Sequence, residues 1–257
     1  MLPTMKKFIY GLIIIFSIVS CGEIGFSEND VSFSEGGTSQ GGSLARFSIV
    51  GDYLYIVNDQ SLVPINITNL ENPIVGEEIE LGFGIETIFP YRGNLFVGSA
   101  SAVYIYDISN PAMPLFRSIY QHATGCDPVV VSGNFAYVTL REGISCGNFS
   151  NSNILEVVDV SDLSNPRQMN SIPMSNPRGL GLGCNNKLFV CDGPAGIVQF
   201  DITDPGQPLY ERTYGQYHAN DVIVKDDLVI VTGNDGVYQY SCASDSLEIL
   251  SILPFSL

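Results

Sequence analysis

The chain has 257 residues, 45% of them apolar, with 26 Gly, 14 Pro, no Trp and only 15% charged residues. That composition supplies the core of one domain and many short strands joined by turns, and it leaves little for long charged helices. With 11 Lys and Arg against 27 Asp and Glu, a formal charge of −16, the chain cannot build the basic face that a phosphate backbone demands, which excludes nucleic acid as a partner.

The first element in chain order is an address. Met5-Lys6-Lys7 precedes an apolar run from Phe8 to Val19. The run is shorter than the roughly 20 residues that span a bilayer and suits the core of a signal peptide. Met-Lys-Lys is also a more usual opening than Met1-Leu2-Pro3-Thr4, so Met5 competes with Met1 as the start. The run ends Ile18-Val19-Ser20-Cys21, which resembles the lipobox of bacterial lipoproteins. The resemblance implies cleavage after Ser20 and a diacylated Cys21 as the new N-terminus. Loss of Lys6 and Lys7 takes the charge to −18, a sign that repels anionic headgroups, so attachment to the membrane rests on the acyl chains of Cys21.

Gly22 in place of Asp, with Glu23, Glu28 and Asp30 close behind, resembles sorting to the outer membrane, on its periplasmic or its surface-exposed face. The expected segments are a signal peptide over 1–20, a lipidated Cys and flexible Gly/Ser/Glu-rich tether over 21–43, and a folded domain over 44–257. The tether reaches roughly 25 Å. Within it, Gly37-Thr38-Ser39-Gln40-Gly41 spells a nucleophile elbow in letters only, because neither a buried strand nor a helix flanks Ser39.

From residue 44 the chain is a repeat. Asp107-Ile108-Ser109, Asp159-Val160-Ser161 and Asp201-Ile202-Thr203 are followed, seven places after the Asp, by Pro114, Pro166 and Pro208. Asn66-Ile67-Thr68 is followed in the same way by Pro73, and Tyr240-Ser241-Cys242 stands at this place in a degenerate fifth copy. The anchors at 66, 107, 159, 201 and 241 are 41, 52, 42 and 40 apart. An Asp or Asn that ends a strand folds its side-chain oxygen onto the turn amides, and the Pro presets the chain for the next strand. Two strand-like runs precede each anchor, one of them introduced by a turn signal such as Gly51-Asp52, Arg92-Gly93 or Asp226-Asp227.

Four short strands per unit of about 40 residues is the arithmetic of a propeller blade. The units run roughly 44–81, 84–121, 124–174, 177–216 and 218–255, each an inner strand A, then B, then C ending at the anchor, then an outer strand D. The expected fold is all-β: a five-bladed β-propeller of four short antiparallel strands per blade, behind a lipoprotein signal peptide and tether. A ring buries every blade face and no polar capping repeat stands out, so a closed ring is expected over an open solenoid or a sandwich.

Leu228-Val229-Ile230-Val231 and Leu155-Glu156-Val157-Val158-Asp159-Val160-Ser161-Asp162 resemble the LVIVD repeat, and residues 41–257 are similar to the LVIVD-repeat lipoproteins of the Bacteroidetes. The resemblance implies a β-propeller with no established activity and supplies no catalytic residue. Unit five departs from the pattern in lacking the Asp and Pro, and unit three in being about eleven residues longer.

The loops from D to A and from B to C open on one face around the channel, where propellers collect their ligands. Lining up the units places Arg46, Thr87, Asp127, Leu180 and Asn220 together at the start of strand A. Glu86, Cys126, Arg178 and Asp221 are close neighbours, and His122 and His218 precede strand A in units three and five. Arg46, Glu86, Asp127, Arg178, His218, Asn220 and Asp221 are thus candidates to bind a polar ligand at the channel mouth. Short polar residues that satisfy exposed backbone and meet water would give the same pattern. No metal-ligand spacing occurs, so neither a metal site nor a cofactor is assigned.

Six cysteines, less Cys21, leave five. Cys126 lies in a D–A loop and Cys146 in the long B–C insertion of the same unit, so a disulfide between them is expected in an exported protein. Cys184 and Cys191 read as small buried residues, with Cys242 left over as an odd thiol. A non-catalytic envelope lipoprotein, monomeric, binding an envelope protein or glycan through its channel face, is the expected function. The alternative is a channel-mouth hydrolase or lyase that uses Asp127, Asp221 and His218 around a metal.

Overall fold

Alternation of apolar residues over four to seven positions, broken by Gly, Asn and Asp, makes short strands, and consecutive strands pair as antiparallel hairpins. The computed structural model describes residues 43–122, 128–142, 153–215 and 217–255. Blade one comprises β1 (Phe47–Val50), β2 (Tyr53–Val57) and β3 (Ser61–Asn66), with a broken outer strand, β4 (Ile74–Val75) and β5 (Ile79–Glu80), both paired with β3. Blade two is β6 (Ile85–Tyr91), β7 (Asn94–Ser99), β8 (Ala102–Asp107) and β9 (Leu115–Gln121). Blade three is β10 (Val129–Ser132), β11 (Phe135–Leu140), β12 (Ile154–Asp159) and β13 (Arg167–Pro173). Blade four is β14 (Leu180–Gly183), β15 (Lys187–Cys191), β16 (Ile197–Asp201) and β17 (Leu209–Tyr214). Blade five is β18 (Ala219–Lys225), β19 (Leu228–Gly233), β20 (Gly236–Ser241) and β21 (Glu248–Pro254). In each sheet the strands lie side by side in chain order, so the molecule is a five-bladed β-propeller in which no strand is exchanged between blades.

The anchor residues do what their chemistry dictates. Oδ1 of Asn66, Asp107, Asp159 and Asp201 accepts the amide two residues on, from Thr68, Ser109, Ser161 and Thr203, at 2.7–2.9 Å. Ser241 Oγ takes the same role for Ala243 in the fifth blade, at 3.3 Å. In blades two to five the outer strand carries a β-bulge at one equivalent place, at Arg117, Met169, Glu211 and Leu250, opposite the third strand's Ile105/Tyr106, Val157/Val158, Gln199/Phe200 and Gln239/Tyr240.

The core lies between blades. One cluster joins blades one and two around Tyr55, Leu62, Ile85 and Leu95; the next joins two and three around Phe96, Ile105, Val129 and Val138. Tyr137, Leu155, Leu188 and Phe200 join three and four, and Phe189, Ile197, Val229 and Val231 join four and five. Tyrosine hydroxyls stitch the same seams: Tyr55 donates to the Pro111 carbonyl and Tyr137 to that of Pro205, both at 3.0 Å. Among the described residues each of the four core clusters joins two consecutive blades.

Blades four and five are also linked covalently. Cys184, in the A–B turn of blade four, forms a disulfide with Cys242, just beyond β20. This corrects the reading of Cys184 as a buried thiol and of Cys242 as unpaired. Only Cys191 is a buried free thiol among the described residues. The expected Cys126–Cys146 bridge, like Cys21, lies outside the described residues.

Candidate functional site

The paired registers place Arg46, Thr87, Pro128, Gly179 and Asp221 in one layer, each one residue before the inner-strand positions that pair with Ile56, Val97, Val138, Val190 and Val231. The expected alignment of Asp127, Leu180 and Asn220 is therefore shifted by one. In blade five the cause is visible: β18 begins with a bulge at Asn220.

Asp221 is the centre of this layer. Gly179 of blade four has no side chain, and the carboxylate occupies that space: a Cβ on Gly179 would lie 2.0 Å from Asp221 Oδ1. Oδ1 accepts the Val222 amide at 2.9 Å and the Ser43 hydroxyl at 3.5 Å. Ser43 Oγ in turn accepts the Leu180 amide at 2.7 Å, so the segment leading into blade one is laid over the inner strands of blades four and five. Burial pushes the Asp221 carboxyl up to about 6, against the lowering effect of the Val222 amide and the Ser43 hydroxyl.

Arg178 stands beside it on the same rim. Asp192, itself buried, accepts the amides of Ser175 at 3.0 Å and Asn176 at 2.6 Å, which pins the loop between β13 and β14. Asn176 Oδ1 then receives Arg178 Nε at 3.0 Å, and Thr139 Oγ1 donates to the Arg178 carbonyl at 2.6 Å. Burial and the neighbouring Arg141 both lower the pKa of Arg178. Cys191 ends the adjacent strand fully buried; burial, reinforced by Asp221, holds its thiol well above the ordinary range, so it stays protonated and unreactive.

His218 and Asn220 complete the rim. His218 is half-buried, and its Nδ1 has no hydrogen-bond partner among the described residues. Asn220 Nδ2 donates to Asn234 Oδ1 at 2.9 Å, closing the B–C turn of blade five onto its own inner strand. Arg178, His218, Asn220 and Asp221 thus share the mouth at blades four and five. Arg46 lies exposed ahead of β1, and Glu86 is half-buried at the start of β6, on blades one and two. Asp127 lies outside the described residues. Ser43, Arg141, Asn176 and Asp192 escaped the reading of the sequence; a Gly beside Arg178 at the start of an inner strand was the available signal. Among the described residues no three His, Cys, Asp or Glu side chains are grouped to hold a metal ion.

The family model of the LVIVD repeat matches residues 41–79, 95–122, 126–144 and 149–172, within blades one to three. No curated protein is detectably similar. Several solved structures share the fold. A functionally unknown protein of Desulfotomaculum acetoxidans is 15% identical with a TM-score of 0.66, over 82% of this chain and 70% of that one. The periplasmic gluconolactonase of Pseudomonas aeruginosa is 16% identical with a TM-score of 0.62, over 79% and 68%. A protein of Lactobacillus plantarum is 13% identical with a TM-score of 0.62, over 80% and 69%. At such identities the likeness is one of architecture. It agrees with the sheets and with the repeat matches, and the chain is accordingly a five-bladed β-propeller that carries LVIVD repeats.

Proposed function

We propose that this protein is a lipid-anchored, non-catalytic binding scaffold of the cell envelope that takes a polar ligand, part of an envelope protein or glycan, at its channel mouth. One observation carries the reading. A half-buried carboxylate, Asp221 on β18, and a partly desolvated guanidinium, Arg178 just ahead of β14, are fixed by neighbours that hold them without neutralising them. Fixed polar groups on a mostly apolar wall give orientation and specificity to a ligand. The anchor belongs to the same reading: Cys21 behind its lipobox would tether the propeller to the outer membrane.

The test is a thermal-shift screen of residues 22–257 against cell-envelope sugars, peptides and divalent cations, with Asp221→Asn alongside. A rise in melting temperature that Asp221→Asn removes supports a ligand at the mouth. A rise with divalent cations alone would favour a metal-dependent hydrolase or lyase, and no rise with any probe would sink the proposal. Incorporation of labelled fatty acid in cells, lost in Cys21→Ala, tests the anchor separately.

A further inference from the structure

The end of the molecule opposite the channel mouth carries a cleft between blades two and three, about 290 Å3 in volume. Its walls are the A–B turns of both blades and the C–D turn of blade three. Arg92 and Arg117 line it, and among the described residues no Asp or Glu does. In a chain with 11 Lys and Arg against 27 Asp and Glu, that lining runs against the composition. Both arginines are particular to blade two. Arg92 opens the turn between β6 and β7 at φ +44°, where Gly51, Gly133 and Asp226 stand in other blades. An arginine in this left-handed region goes against the local backbone preference. Arg117 is the bulge residue of β9, where Met169, Glu211 and Leu250 stand elsewhere.

Neighbours hold the two arginines in place. The buried Asn94 side chain donates Nδ2 to the Arg92 carbonyl at 2.9 Å and accepts Arg117 Nη1 on Oδ1 at 3.2 Å. The Tyr91 hydroxyl accepts the Gly133 amide of blade three at 2.7 Å, and the Arg92 guanidinium lies 5.1 Å from the centre of the Tyr91 ring. Arg117 has one long contact with Asp107, at 3.5 Å, and no carboxylate among the described residues pairs with Arg92. Val160 and Leu163 give the cleft an apolar side, and Asn134 and Ser161 a polar one. We propose that this cleft binds a small organic anion, a carboxylate or phosphate on an apolar body. Arg92 and Arg117 grip the charged head, while Val160 and Leu163 flank the body. A guanidinium presents paired N–H donors that fit either oxyanion, and a cleft of this size takes a small molecule. The site is separate from the channel mouth and does not depend on a ligand there.

Isothermal titration calorimetry of the full-length protein provides the test, with benzoate, phenyl phosphate and benzamide, the neutral isostere of benzoate. One or both anions are expected to bind, and the comparison between them identifies the head group the cleft takes. Benzamide is expected to bind about tenfold more weakly or not at all. Arg92→Gly installs the residue that blades one and three carry at this turn, so it is expected to fold like wild type and to weaken the anion about tenfold. Arg117→Gln is expected to weaken it likewise. Arg212→Gln removes an equal charge from the exposed outer strand of blade four and is the control expected to bind like wild type. Circular dichroism confirms that each variant is folded. Failure of both anions to bind overturns the proposal, as does benzamide binding as tightly as they do. Wild-type affinity in Arg92→Gly and Arg117→Gln, or an equal loss in Arg212→Gln, overturns it as well.

Discussion

The Asp221 carboxylate lies where the side chain of residue 179 would be. A Cβ on Gly179 would stand 2.0 Å from Oδ1 of Asp221 and 2.8 Å from its Cα, closer than atoms tolerate. Gly179→Ala is therefore expected to push β14 and β18 apart and to cost about 1–3 kcal/mol in chemical denaturation. Pairing it with Asp221→Ala should restore only part of the loss, since the contact with the α-carbon persists. Full recovery in the double variant would show that the carboxylate alone sets the spacing.

The same carboxyl makes stability depend on pH. Its pKa is raised from 3.8 to about 6 in the folded protein, so the native state holds this proton more tightly than the unfolded chain does. The contribution is fully present below about pH 4 and is lost as pH rises through about 6, amounting to an order of 3 kcal/mol at most. Asp221→Asn keeps an acceptor for the Val222 amide and avoids the ionisation. Wild type minus variant, measured by urea denaturation from pH 4 to 8, should fall progressively across that interval. A pH-independent difference would contradict the buried-carboxyl account.

Reduction should loosen the seam between blades four and five. The Cys184–Cys242 bridge spans a sequence separation of 58, and closing a loop of that size is worth about 4 kcal/mol. Cys184→Ser with Cys242→Ser, followed by calorimetry, is expected to lower the melting temperature by roughly 10 °C in a domain of this size. Added reductant should not move the double variant further if this is the only bridge that matters to stability.

Lys187 provides a fourth expectation. Its ammonium, nearly buried, is 2.9 Å from Asp201 and 2.7 Å from Glu211, while Gln199 bonds Glu211 and the Asp245 carbonyl of blade five. The Thr203 amide and hydroxyl, donating to Asp201, together with Lys187, hold the Asp201 carboxyl down at about 2, and Lys187 and Gln199 hold Glu211 low. Lowered carboxyls stabilise above their unfolded pKa values and lose that contribution as pH falls through the folded ones. Lys187→Ala should thus destabilise by about 2–3 kcal/mol near neutrality, with the gap from wild type narrowing below pH 4 in the same denaturation series.

Much of the fold could be read from the sequence because its punctuation is local. The Asp107, Asp159 and Asp201 turns and the Pro seven places on need no tertiary information, and their spacing gave the number of blades. What could not be read depends on how one blade sits on the next. Cys184 and Cys242 belong to different repeats, and only the rotation between blades four and five brings them together. The bulge at Asn220 moves Asp221 into the layer that the alignment had given to Asn220. Ser43 stood at the edge of the tether, and nothing in its surroundings marked it as the residue that bonds Leu180 and Asp221.

Each blade is one uninterrupted stretch of about 40 residues, and no strand is lent to another blade. Nearly every stabilising pair is consequently made either within a hairpin or with the next unit along. Such a chain can assemble progressively, hairpin by hairpin. Its genes can also lengthen or shorten by whole units, since inserting one disturbs only the two seams beside it.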